Sequence, residues 1–408
     1  MRHFKNFLEG YMDYAVDNYC PPEFHYWTGI SILAGALERK ISLKQANIFH
    51  YPNLYVLLVS YPAVGKTTAM DRGVDLLEDV KKIYNPALRF IPNQVTEASF
   101  IDLMKTSELV MIDNRFEIVH TSGYFYASEA SSSALQNTHG DFIASLTAMY
   151  DCPKTFRKKI KGEKFEVEII NACMNVLAGT TFDFLKNMID EKSVMGGFAS
   201  RLIYIVNKDR LVRETKYDYI KKDNDELRQK LLEDLVQIHK IAGPVIPTAA
   251  FKREVEKAQP EFDRFLHKLE SPRMESLMAR RLTNTIKLSM ILAIAESNEL
   301  VVDAKHFHEA KELVEATSKD NALVISSALM ANKSSQDSFT TFILQTMKYQ
   351  GHVKPLTELK RDFLKFGGDV SRFDATVQML VGAQVLEVIS NDSGNMHVKL
   401  LSNPNINL

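Results

Sequence analysis

Along the first part of the chain, apolar residues recur at helical spacing. Across residues 24–40 the positions Trp27, Ile30, Leu33 and Leu37 fall near one face, and residues 1–48 read as helical. The pattern then changes. Tyr51-Pro52-Asn53 reads as a turn, and residues 54–59 (L-Y-V-L-L-V) are a continuous apolar run with strand chemistry. From about residue 50 to 208 such runs alternate with helical stretches. The candidate strands are 54–59, 88–91, 108–113, 123–127, 155–160, 165–170, 173–178 and 202–206. This alternation predicts an α/β fold, a sheet sandwiched between helices in three layers.

Residues 218–330 are helical in pattern with one break at 243–247, and 331–337 (A-N-K-S-S-Q-D) form a polar linker. Beyond it, helical patterns at 338–349, 355–366 and 371–382 precede apolar runs at 385–390 and 396–401, joined by N-D-S-G-N turn chemistry. Three helices and a β-wing predict a winged-helix module, related to the helix-turn-helix. Its third helix offers only Arg372 as a base, so a protein partner suits it nearly as well as DNA. The predicted domains are an N-terminal helical region 1–48, an α/β core 49–210, a helical lid 211–330 and the winged-helix module 338–402.

Composition narrows the field. The 408 residues are 45% hydrophobic and 25% charged, which suits a globular protein of two or three domains. A net charge of -1 means that nucleic-acid binding must come from local patches. Cys20, Cys152 and Cys173 have no metal-ligand spacing and read as thiols of a reducing compartment. No signal-peptide pattern and no membrane-length apolar run is present, so the expected location is the cytoplasm with no membrane partner.

The most specific chemistry follows the first strand. Ser60-Tyr61-Pro62-Ala63-Val64-Gly65-Lys66-Thr67-Thr68 lies between strand 54–59 and a helical stretch, the context a phosphate-binding loop needs. Gly65 permits close approach of phosphate. The N–H groups of Ala63, Val64, Gly65 and Thr68 and the helix start favour an anion. Lys66 is placed to reach the β- and γ-phosphates of ATP, and the Thr67 hydroxyl to ligate Mg²⁺. The usual first Gly of G-x-x-x-x-G-K-[ST] is Ser60 here. A chance G-K-T in a loop is the alternative.

Hydrolysis also needs an acid near the metal and a base that orients water. Glu129, ending the run Tyr124-Phe125-Tyr126-Ala127-Ser128-Glu129, is the candidate base; its neighbour Ser128, where an Asp is usual, is a weak Mg²⁺ ligand. Asp113, after 109–112, is the rival acid. Thr180 or Thr181, ending strand 173–178, can touch the γ-phosphate or the lytic water, while one of them caps the next helix. Gly196-Gly197-Phe198-Ala199-Ser200-Arg201 presents Arg201 as an arginine finger, or as an ordinary arginine after a glycine turn. Residues 155–170 read as a hairpin whose basic residues Arg157, Lys158, Lys159, Lys161 and Lys164 suit a DNA backbone, against Glu166 and Glu168 on the second arm. A solvated charged hairpin is the plainer reading. Arg280 or Arg281, before an amphipathic helix, is the candidate lid contact to nucleotide, with Arg281 preferred here.

In motif order, Y-P-N-L-Y-V-L-L-V-S-Y-P-A-V-G-K-T-T-A-M, A-S-E, N-V-L-A-G-T-T and G-G-F-A-S-R-L resemble the P-loop domain of phage and mobile-element replicative helicases and primase-helicases. That arrangement is similar to the AAA+ clade of the MCM motors and viral superfamily 3 helicases, and it covers about residues 20–320. The resemblance implies a P-loop, AAA+-like ATPase translocating on single-stranded or forked DNA as a homo-oligomeric, hexameric ring, with a separate primase or initiator. It gives Lys66 and Thr67 to phosphate and Mg²⁺, Glu129 to catalysis, Thr180 to sensing, Arg201 to the finger and the basic hairpin to the pore. A nucleotide-switched initiator or loader with slow turnover is the alternative expectation, and an operator-reading regulator a third.

Overall fold

The structure, a computed structural model, describes residues 2–16, 20–84, 88–105, 109–112, 115–118, 120–135, 140–159, 166–188, 197–209, 224–267, 275–276, 278–331, 340, 342–344, 346–347, 353–365, 370–382, 385–390 and 395–401. Its centre is a parallel sheet of five strands: β1 (Tyr55–Ser60), β2 (Arg89–Ile91), β3 (Thr121–Ala127), β4 (Ala172–Thr181) and β5 (Leu202–Val206), in the order β5-β1-β4-β3-β2. Every neighbouring pair runs parallel, with Tyr55 opposite Val176 and Leu202, and Thr121 opposite Ala172. Residue alternation on β1 divides the core. Val56 and Leu58 join one hydrophobic cluster, and Tyr55, Leu57 and Val59 join another. A sheet buried on both faces needs apolar side chains on both, which is why β1 reads as an unbroken apolar run.

One face is covered by α1 (Phe7–Ala15), α2 (Pro22–Leu37) and α3 (Lys66–Tyr84). The other carries α4 (Glu97–Lys105), α5 (Gly140–Tyr150) and α6 (Phe182–Met188). Four further helices follow β5: α7 (Asn224–His239), α8 (Ala249–His267), α9 (Arg281–Glu296) and α10 (Ala304–Ala331). Residues of all four contribute to the cluster that holds α1 to α3. The three-layer α/β expectation therefore stands, while residues on either side of positions 48 and 210 share one core. No described helix is long and apolar enough to cross a membrane.

Two expectations are corrected. Residues 41–50 are a β-hairpin, Ile41–Gln45 with Ile48–His50, rather than the end of a helical region. Its first strand is completed by Gly243–Pro244, about 200 residues away, so local periodicity could not reveal it. The strand Leu109–Ile112 pairs with Arg115–Ile118 as a separate antiparallel hairpin and does not enter the central sheet. At the far end, α11 (Leu356–Lys365) and α12 (Val370–Gly382) pack on a three-stranded antiparallel sheet, Val353–Pro355, Leu386–Ser390 and Met396–Leu400, around Phe342, Phe363 and Phe373. A helix lies within the expected 355–366 stretch, another covers 371–382 from one residue earlier, and strands lie within 385–390 and 396–401; Val353–Pro355 is an added strand, and of 338–349 only residues 340, 342–344 and 346–347 are described.

Helices α1, α2 and α3 cross closely at small residues. A Cβ on Gly73 would stand 2.5 Å from Thr28 Cγ2 and 2.8 Å from Tyr11 Oη. Gly73→Ala adds about 1 kcal/mol of helix propensity, but overpacking this crossing costs about 1–3 kcal/mol. A net loss in urea unfolding is expected; a net gain would show that the crossing has slack.

His50, 6% exposed, bonds Gln45 Oε1 at 2.9 Å. Burial, helped by the Lys287 charge, pushes its pKa down to about 4. The unfolded chain therefore takes up this proton first as pH falls. The stabilisation is complete above about pH 6.5 and is lost towards pH 4, at about 1.4 kcal/mol per pH unit. Unfolding titrations of His50→Gln are expected to lack that slope; an identical pH profile would contradict the assignment.

Candidate functional site

Because the sheet is buried on both faces, polar chemistry gathers where its strands end. At the carboxyl edge the chain leaves Ser60, turns through 61–65 and enters α3 at Lys66. Ala63 (φ 62°) and Gly65 (φ 88°) are left-handed. Left-handed residues interspersed in a loop let successive N–H groups converge on one concavity. Glycine takes this conformation freely, whereas Ala63 does so at a cost. The loop is braced on three sides. Cys20 Sγ donates to Gly65 O at 3.2 Å, the Tyr61 ring meets Phe182 edge-on at 5.0 Å, and Asn207 N donates to Val59 O at 2.9 Å.

Lys66 is 6% exposed, and its ammonium donates to Ser60 Oγ at 3.0 Å and Tyr61 O at 3.2 Å. Burial lowers its pKa, and the Glu129 carboxylate opposes that shift. Ser60, the departure from the glycine pattern, thus supplies the hydroxyl that receives the lysine. The Thr67 and Thr68 side chains are exposed on the first turn of α3, and Val64 is buried.

The strands on either side converge here. Ser128 and Glu129 follow β3, and Glu129 Oε1 accepts from Ser131 at 3.1 Å. A Cβ on Gly179 of β4 would meet Ser128 O at 2.8 Å, Met70 Cε at 2.9 Å and Lys66 Cβ at 3.7 Å, so only glycine lets these segments pack together. Next to it, Thr180 Oγ1 is fully buried and has no hydrogen-bond partner among the described residues. Thr181 is the cap: its hydroxyl accepts from Phe184 N at 3.5 Å. Thr181 thus takes the cap, and Thr180 stays enclosed at the end of the strand. Asp113 lies outside the described residues, and the strand before it is apart from this edge.

Other candidates lie elsewhere. Arg201 precedes β5 at the amino edge, roughly 15–20 Å along the strand axis from the end of β1. It is 8% exposed, donates to Asp151 Oδ2 and Gly197 O at 2.7 Å each, and stacks over Tyr150. Arg280 reaches the same carboxylate, at 3.1 Å from Asp151 Oδ1. Lys287, buried, bonds Asn53 Oδ1 at 2.8 Å and lies 3.7 Å over the Tyr150 ring. Burial first of all lowers its pKa to about 8. Arg281 points elsewhere, since neighbours on a helix diverge by about 100°. It pairs with Glu315 at 3.8 Å and stacks on Phe265, in a cavity of about 190 Å³ among α8, α9 and α10. None of its described partners belongs to the 60–68 loop.

The basic hairpin carries its own counter-charges. Arg157 faces Glu168 across the ladder, 2.5 Å away, and Lys158 is bound to Glu97 and Ser145. Lys159 is exposed, and Lys161 and Lys164 lie outside the described residues. Glu97, Asp151 and Tyr150 were missed in the sequence, where nothing in their spacing distinguishes them. Among the described residues no group of three or more His, Cys, Asp or Glu could hold a metal. Comparison with protein-family models and with curated proteins finds no match for this chain.

The Thr180 hydroxyl gives a sharp test of the site's stability. Removing a buried, unpartnered hydroxyl relieves a desolvation penalty. Thr180→Val is therefore expected to leave unfolding stability unchanged or to raise it by about 1 kcal/mol. A loss of that size instead would mean that the hydroxyl is satisfied in the folded chain.

Proposed function

We propose that this chain is a P-loop, AAA+-like ATPase that works on DNA as a homo-oligomeric ring in phage or mobile-element replication, with the helicase reaction as its output. The observation that carries this reading is the carboxyl edge of the sheet. There a buried ammonium, a loop with two left-handed residues, a carboxylate within electrostatic reach and an unpartnered buried hydroxyl come together. Such a donor set fits a nucleoside triphosphate, whose phosphates would take the Lys66 ammonium from Ser60 and Tyr61. ATP and Mg²⁺, when bound, supply the transferable phosphoryl group and the charge that neutralises it. Lys66 and the N–H groups of 63–68 would hold phosphate, Thr67 and Ser128 would face Mg²⁺, Glu129 would orient water, and Thr180 would accept or donate at the γ-phosphate.

The amino edge favours a shared site. Arg201 and Arg280 come from distant segments yet rest on one carboxylate, Asp151. In a head-to-tail ring this edge of one subunit can face the carboxyl edge of the next. The pair then exchanges Asp151 for a phosphate. In this reading Arg280 takes the role that the sequence had given to Arg281. The α11–α12 module, two helices on a three-stranded sheet, would be the winged helix and would serve DNA or ring contacts.

Two observations favour the loader alternative. Arg157 and Lys158 are already paired in the chain, and Ser128 stands where a carboxylate is usual. Both would weaken grip and turnover. Strand-displacement assays with ATP separate the two: unwinding supports the motor, while ATP-dependent ring assembly without unwinding supports the loader.

The shared site has its own test. Arg201→Ala and Lys66→Ala are each expected to lose ATP hydrolysis by about 10³-fold or more. An equal mixture of the two is expected to recover up to about a quarter of wild-type turnover, since random rings restore that share of sites. No recovery in rings shown to contain both variants would remove the shared site.

A further inference from the structure

The cavity of about 190 Å³ among α8, α9 and α10 takes no part in the chemistry proposed above. Its floor is apolar. Phe262 and Phe265 come from α8, Leu282 from α9, and Phe307 and Val314 from α10. Residues at these spacings share one side of a helix, so α8 and α10 each turn an apolar stripe inward. The Phe262 and Phe265 rings are stacked with centres 6.5 Å apart, and Phe307 and Val314 are buried. An apolar cavity of about 150 Å³ is enough for benzene, so this one is of a size for a single ring or a branched alkyl group with its attachment carbon.

Four charged residues also face the cavity, the cations Arg281 and Lys311 and the acids Glu261 and Glu315. They are only loosely joined. Arg281 stands 3.8 Å and Lys311 4.0 Å from the same oxygen of Glu315. Charge-assisted hydrogen bonds run at about 2.7–2.9 Å, so neither gap is one. The Arg281 guanidinium lies 5.1 Å over the Phe265 ring, and its side chain is 21% exposed. Its flat face therefore rests on the aromatic floor, while its N–H donors fan out in the plane and are free to grip a carboxylate at two points. An apolar pocket with a few convergent polar groups is the usual form of a small-ligand site.

Charge narrows the ligand. A plain carboxylate would bring a third anion beside Glu261 and Glu315. A plain amine would bring a third cation beside Arg281 and Lys311. A zwitterion leaves the count even and gives each loosely held group a close partner. We propose that this cavity binds a free α-amino acid with an apolar side chain of the size of leucine or phenylalanine. The side chain enters among Phe262, Phe265 and Phe307, the α-carboxylate lies on Arg281 and the α-ammonium on Glu315. The ligand joins three helices, so its binding stabilises the folded chain. Arg281 then has a role of its own, separate from that of Arg280.

The test uses the full chain without nucleotide, so its outcome is independent of the ATPase reading. Titration calorimetry with L-phenylalanine and L-leucine is expected to show one saturable site with a Kd of about 1 mM or below. 3-Phenylpropanoate, which lacks the ammonium, and phenethylamine, which lacks the carboxylate, are each expected to bind about tenfold or more weakly than phenylalanine. Arg281→Met keeps an apolar stem and is expected to lose about tenfold for phenylalanine while leaving phenethylamine unchanged. Should that variant fail to fold, the ligand series on wild type decides alone. Wild type that binds neither amino acid would overturn the proposal. So would equal affinity for 3-phenylpropanoate, which would mark a plain carboxylate site, or undiminished phenylalanine binding by folded Arg281→Met.

Discussion

The burial of a lysine ammonium at the end of a strand that has no exposed face organises this molecule. Tyr55 through Val59 are fully enclosed, so the first place where the chain can present polar groups is the turn after Ser60. Lys66 enters that turn from α3 and, among the described residues, finds its acceptors in Ser60 and Tyr61, with Glu129 acting at longer range. Taking an ammonium out of water is costly unless its hydrogen bonds are replaced. Two neutral acceptors replace them in part, which leaves the lysine with a lowered pKa and a capacity for a stronger, anionic partner. Gly179 and Thr180 follow from the same packing. One has no side chain because the segments are too close, and the other buries a hydroxyl that no described residue satisfies.

At the opposite edge the problem is solved in reverse. Three cations, Arg201, Arg280 and Lys287, gather around the Tyr150 ring with Asp151 as the carboxylate that answers them. Cation–π contact and carbonyl acceptors from Asn53 and Tyr150 make up part of the difference. Both edges present cations, Lys66 at one and two arginines sharing one carboxylate at the other. In the head-to-tail ring proposed above, a phosphate between two copies would be the anion that both edges hold.

Much of the sheet was legible because a doubly buried strand writes itself as an apolar run, and β1, β3, β4 and β5 all did so. The loop was legible because Gly65 and Lys66 are local in sequence, and Thr181 was legible as a cap because capping is local too. Pairing partners were not. Residues 41–50 are strands only through one another and Gly243–Pro244, and 109–112 looks like a core strand until its neighbour 115–118 claims it. Charge pairing was equally hidden. Glu97 lies 61 residues from Lys158 and Asp151 lies 129 from Arg280, so the counter-charges of these two cations could not be read from the local sequence. Which of Arg280 and Arg281 faces the amino edge depended on the rotation of α9, which two adjacent arginines cannot disclose.

Equilibrium binding of labelled ATP in the presence of Mg²⁺ tests the central claim most directly, with wild type compared against Lys66→Ala. The account predicts saturable binding by wild type and a loss of about tenfold or more on removing the ammonium, the size of a charge-assisted hydrogen bond. Absence of binding by wild type, or equal affinity in the variant, would contradict it.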